Sequence, residues 1–83
     1  MPRYLLNLRR AHLAIHDTRG VECSGPTEAV EAAVVLALDR MSTSNDFGRS
    51  AGWSVEIKTE TGAHVATVPF ALAWRMRLGR TFG

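Results

Sequence analysis

The sequence predicts an α+β domain, a small antiparallel sheet with one helix packed on one face, in the order strand–strand–helix–strand–strand. Three observations lead there. Four segments alternate apolar and polar residues with a period of two, one long segment between them repeats at helical spacing, and the joints are rich in Gly, Pro, Asp and Asn.

The first strand is Arg3-Tyr4-Leu5-Leu6-Asn7-Leu8-Arg9, which points Tyr4, Leu6 and Leu8 one way and Arg3, Leu5, Asn7 and Arg9 the other. A second runs from about His12 to His16, with Leu13 and Ile15 alternating against His12, Ala14 and His16; residues 9–12 form the hairpin loop between them. Asp17-Thr18-Arg19-Gly20 has turn chemistry, because Asp bonds its own downstream backbone and Gly tolerates positive φ. Val21-Glu22-Cys23 offers a short third strand.

Ser24-Gly25-Pro26-Thr27-Glu28 is a helix start: Pro suits the first helical position, Ser or Gly the cap, and Glu28 the first turn. The helix is expected from about Pro26 to Thr43, with Val30, Ala33, Val34, Ala37, Leu38 and Met41 on one face. Glu28, Glu31 and Asp39 lie toward the other side. Val35 and Leu36 flank that polar side, so the apolar arc is wider than one sheet face requires. Residues 42–52, rich in Ser, Asn and Gly, read as a loop. Trp53-Ser54-Val55-Glu56-Ile57-Lys58 is the cleanest strand, with Trp53, Val55 and Ile57 inward. Glu60-Thr61-Gly62 is turn material, and a last strand from about His64 to Val68 ends at Pro69, which cannot donate to a ladder.

Residues 1–70 therefore form a single domain, and 71–83 a basic, apolar tail. In the tail, composition and pattern disagree. Ala71-Leu72-Ala73-Trp74-Arg75-Met76-Arg77-Leu78 consists of good helix formers, yet Leu72, Trp74, Met76 and Leu78 share a face only if the chain is extended. Giving pattern the greater weight predicts an extended tail docked on a sheet edge.

The chain has 83 residues, 46% of them apolar and 22% charged, a composition that excludes collagen-like, mucin-like and bulk disordered classes. The longest apolar run, Ala32 to Leu38, is seven residues, against the roughly 20 of a membrane helix. Tyr4-Leu5-Leu6 is cut short by Asn7 and Arg9-Arg10, so no secretory leader is expected. The single cysteine, Cys23, forms no internal disulfide, which makes a reducing cytoplasm the expected compartment. All eight acids fall between Asp17 and Glu60, while Arg3, Arg9 and Arg10 at one end and Arg75, Arg77 and Arg80 at the other leave both termini basic. Such ends can meet the acidic middle, a second copy, or nucleic acid.

Met1-Pro2-Arg3-Tyr4, Asp17-x-x-Gly20 before a helix, Trp53-x-Val55-Glu56-Ile57, and Gly62-x-x-Val65-x-Thr67-Val68-Pro69-Phe70 follow one another across residues 1–70. In these motifs the chain resembles a group of short, uncharacterised bacterial proteins common in rhizobia-like bacteria. The resemblance implies this element order and a bacterial cytoplasmic origin, and it supplies no catalytic residue. The chain departs from that group at Arg9-Arg10-Ala11-His12, where an acidic, glycine-containing turn is usual, and in its tail; both departures add positive charge. Element order alone also gives a fainter likeness to small antitoxin domains.

Sharper chemistries fare poorly. His12, His16, Cys23 and His64 are legitimate metal ligands, but on a strand His12 and His16 stand about 13 Å apart, too far for one ion, and no second cysteine is present. Cys23 just before a helix start has one feature of a nucleophile, yet the chain has no spare segment to wall a substrate pocket, and Cys23 reads instead as a small apolar residue packed beneath the helix. The glycines make no phosphate loop. No catalytic residue, cofactor or metal is expected. One helix covers only one sheet face, so the second face and the surplus apolar arc would gain by burial against another copy, and a homodimer is expected. The expected function is a non-enzymatic protein-interaction module that self-associates, with Arg9, Arg10, Val35, Leu36, Leu72, Trp74, Arg75, Met76, Arg77 and Leu78 as its candidate surface. The alternative is a small nucleic-acid-binding or antitoxin-like regulator, in which arginines at the hairpin tip and tail grip phosphates and Trp74 stacks on a base.

Overall fold

Period-two alternation builds β1 (Arg3–Arg10) and β4 (Ser54–Thr59) into the middle of a five-stranded antiparallel sheet. Its order is β2-β1-β4-β5, where β2 is Leu13–Ile15 and β5 is His64–Pro69; β3 (Val21–Glu22) also pairs with β1. The computed structural model describes residues 1–43, 52–73 and 75. Leu6, Leu8 and Tyr4 of β1 lie opposite Ile57, Val55 and Thr59 of β4, and Val55 and Ile57 lie opposite Val68 and Ala66 of β5. Paired residues share a face, so this register puts one continuous apolar surface under the helix.

That helix, α1 (Pro26–Thr43), has the bounds expected from its caps and periodicity. The Ala29 N–H donates to the Gly25 carbonyl at 3.1 Å, which makes Gly25 the cap and puts Pro26 at the first helical position. The Ser24 hydroxyl donates to Glu28 Oε2 at 2.8 Å, bracing the first turn. Ala33, Val34 and Ala37 are buried and Val30, Leu38 and Met41 half-buried, all as expected; Ala29, outside the expected stripe, is also fully buried. The helix packs against β4 and β5, and Trp53, Val55, Ile57, Val68 and Phe70 belong to one core with it.

The other sheet face is polar. Arg9 pairs with Glu56 at 3.4 Å and Lys58 with the same carboxylate at 3.7 Å, while Asn7, Glu56 and Thr67 lie across from one another. Covering this face with a second copy would desolvate those charges, so it is not the gain that the fold class suggested.

The tail corrects the extended expectation. Residues 70–73 and 75 are helical. The Phe70 N–H donates to the Trp53 carbonyl at 3.0 Å, and the two rings stack with centroids 6.4 Å apart. The helical turn then buries Phe70 and Ala73, three residues apart, and leaves Leu72 44% exposed. The turn brings both Phe70 and Ala73 into the core, and those contacts, with the helix propensity of the segment, override the alternation that favoured a strand. Trp74, Met76, Arg77 and Leu78 lie outside the described residues.

Two stability measurements follow from this packing. Ile57→Ala should cost about 2–5 kcal/mol in chemical denaturation, since the side chain is fully buried between helix and sheet. Ala11 at the β1–β2 hairpin tip has φ +50°, a left-handed conformation costing an L-residue of the order of 1 kcal/mol, so Ala11→Gly should raise stability by up to about that amount.

Candidate functional site

β1 has an unfilled stretch on its outer edge. β3 pairs with Arg3 and Tyr4, and β2 pairs with Leu8, Arg9 and Arg10, leaving Leu5, Leu6 and Asn7 between them in neither register. The Asp17 loop fills that gap. The Leu6 N–H donates to Asp17 Oδ2 at 3.1 Å, and the Asp17 N–H donates to Asn7 Oδ1 at 2.8 Å. The second carboxylate oxygen, Oδ1, accepts the N–H groups of Arg19 at 3.0 Å and Gly20 at 2.9 Å. One aspartate side chain thus stands in for a strand residue and folds its own loop. Asn7, only 4% exposed, is held by the same loop.

Gly20 is obligatory in this arrangement. Its φ is +76°, and a Cβ there would lie 2.7 Å from Arg3 Cγ and 3.0 Å from the Tyr4 carbonyl oxygen. The Asp17-x-x-Gly20 motif is therefore a structural device: the acid binds backbone, and the glycine lets the chain pass close over β1. Burial pushes the Asp17 carboxyl up, but the N–H groups of Gly20, Leu6 and Arg19 hold it below the ordinary carboxylate value.

Because α1 packs on β4 and β5, the outer part of the sheet is only partly roofed. A groove of about 380 Å³ opens there. Its apolar lining comes from Leu6 and Leu8 of β1, Ile15 of β2, Val21 of β3 and Leu36 of α1. His16, the Asp17–Gly20 loop and Arg40 complete the lining. Ile15 is itself 51% exposed, and beside the groove Leu13 is 61% exposed, on a strand in which every residue is exposed. Among the described residues the guanidinium groups of Arg19 and Arg40 make no hydrogen bond or ion pair.

Of the described residues expected to form an interaction surface, Leu36 alone lines this groove. Val35 is 67% exposed and is not among the groove residues. Arg9 is engaged by Glu56 across the polar face, and Arg10 lies beside Gly52. Leu72 and Arg75 are exposed in the helical segment after β5. Sequence reasoning missed Ile15 and Arg40, although the alternation Leu13-x-Ile15 on a very short strand was a signal that an apolar edge would remain open.

The other candidate chemistry is placed as follows. Cys23 is buried, its N–H donates to the Pro2 carbonyl at 3.0 Å, and burial followed by the Glu28 charge pushes its thiol up, the opposite of what a nucleophile needs. His64 Nε2 shares a hydrogen bond of 2.9 Å with Thr67 Oγ1 on the polar face. His12 lies in the hairpin turn, and His16 follows β2 into the groove lining. Among the described residues no group of three or more His, Cys, Asp and Glu is placed to hold a metal ion.

A family model described as a domain of unknown function, DUF6894, matches residues 3–71. The chain belongs to this family. The DUF6894 match runs from the first residue of β1 past the end of β5, and so includes the Asp17 loop and every residue that lines the groove. No curated protein and no solved structure gives a significant match. Among the described residues no helix is long and apolar enough to cross a membrane.

The depressed Asp17 carboxyl makes a pH prediction. Stability from the ionised form is complete above the unfolded value, about 3.9, and is lost as pH falls through the lower folded value. In urea denaturation at a series of pH values, the wild type should be more stable than Asp17→Asn near neutrality, and the gap should narrow below about pH 4. A gap independent of pH would show that the negative charge contributes nothing.

Proposed function

We propose that this DUF6894 domain is a non-enzymatic protein-interaction module, bacterial and cytoplasmic as the sequence resemblance implies, which docks a partner in the groove beside β2. The observation that carries this reading is the juxtaposition of an apolar groove with a short edge strand exposed at every residue. Such an edge offers unpaired N–H and C=O groups to an incoming strand, and the groove receives the strand's alternate side chains. Two β2 edges related by a twofold axis would also pair antiparallel and extend the sheet, so self-association at this edge is the competing arrangement. The nucleic-acid reading has less support, because the Arg9 guanidinium is held by Glu56.

Selection of peptides from a random display library against the full chain tests the reading. Enriched peptides should lose binding to Ile15→Thr and to Leu36→Gln, at matched melting temperatures. Enrichment indifferent to both variants would place docking elsewhere. Steeply salt-dependent binding to random DNA or RNA would favour the regulator reading instead.

A further inference from the structure

The charges around the groove select its occupant. Among the described residues, the charged and titratable groups that line it are His16, Asp17, Arg19 and Arg40. Asp17 is the only acid among them, and both of its oxygens are occupied by backbone N–H groups of its own chain. Arg19 and Arg40 carry guanidinium groups that no described residue engages. Arg40 lies in the last turn of α1, where a cation also complements the helix dipole, yet that interaction leaves its donors free for a ligand. The groove therefore presents an apolar floor under a cationic rim.

We propose that the groove receives an extended segment of a different protein in which acidic side chains alternate with or flank apolar ones. The inference rests on the reading of the groove as a docking surface and names the chemistry of its partner. The partner's backbone pairs with the free edge of β2, its apolar side chains enter between Ile15, Leu8 and Leu36, and its carboxylates meet Arg40 and Arg19. A second copy fits less well. An isologous interface sets a patch against itself, bringing two cationic rims together with no uncommitted acid among the described groove residues.

The test uses the full chain and two fluorescently labelled seven-residue peptides, acetylated and amidated at their ends. One combines Ile and Val with Glu; the other has Gln at each Glu position. Anisotropy should show the Glu peptide binding several-fold more tightly than its Gln counterpart, with the difference shrinking as salt is added. Arg40→Gln should weaken the Glu peptide by about three- to fivefold, the upper range for an exposed ion pair, and leave the Gln peptide unchanged. Arg19→Gln provides a second variant at an independent position. Equal affinity for the two peptides would overturn the charge inference while leaving the docking reading intact. A dimer in sedimentation that Ile15→Thr dissolves, with neither peptide bound, would overturn it in favour of a second copy. Neither a dimer nor peptide binding would overturn both.

Discussion

The carboxylate of Asp17 is the constraint on which the rest of this fold depends. β1 is a central strand, yet the chain supplies its outer edge with only two short partners, three residues of β2 and two of β3. Between them, the Leu6 N–H would face an empty edge without a partner, at a cost of about 1–3 kcal/mol once buried. Asp17 Oδ2 accepts that N–H, while Oδ1 gathers the two N–H groups of Arg19 and Gly20. Charge-assisted bonds of this kind are stronger than neutral ones, which is why a single side chain can replace strand pairing over the gap. Gly20 makes the arrangement possible by letting the backbone pass where no Cβ fits beside Arg3.

The path of the chain after that loop explains why there is a groove at all. β3 pairs with the start of β1, the Cys23 N–H reaches the Pro2 carbonyl, and Gly25 and Pro26 begin the helix immediately afterwards. α1 therefore starts near one edge of the sheet and comes to rest on β4 and β5, where Ala29, Ala33 and Ala37 present no bulk beyond Cβ. The apolar positions of the outer strands, Ile15 above all, are left at the margin of that contact. Leu13 and Ile15, 61% and 51% exposed, keep an apolar edge open there.

The same division of labour governs the charges. On the face away from α1, Arg9 and Lys58 converge on Glu56, so that this face is a solvated surface with its own internal pairing. On the groove side no acid among the described residues pairs with Arg19 or Arg40. Net charge of +2 is a weak guide to partners, whereas its placement separates a face with internal ion pairing from a cationic rim.

From the sequence alone came the α+β class, the bounds of α1, the strand positions to within a residue or two, and the inward faces of β1 and β4. These are local properties: side-chain period, caps and turn residues act over a few positions and need no knowledge of neighbours. The turn chemistry of Asp17 and Gly20 was equally legible, but not that the carboxylate also reaches ten or so residues back to close β1. The groove was not legible, because it depends on where the helix lands and on which strand stays at the edge, and both are settled by packing between distant segments. The segment after Pro69 shows the same limit: its alternation suggested a strand, yet stacking of Phe70 on Trp53 and burial of Ala73 made it a helical turn. Periodicity tells which residues can share a face; only the tertiary contacts decide whether there is a face for them to meet.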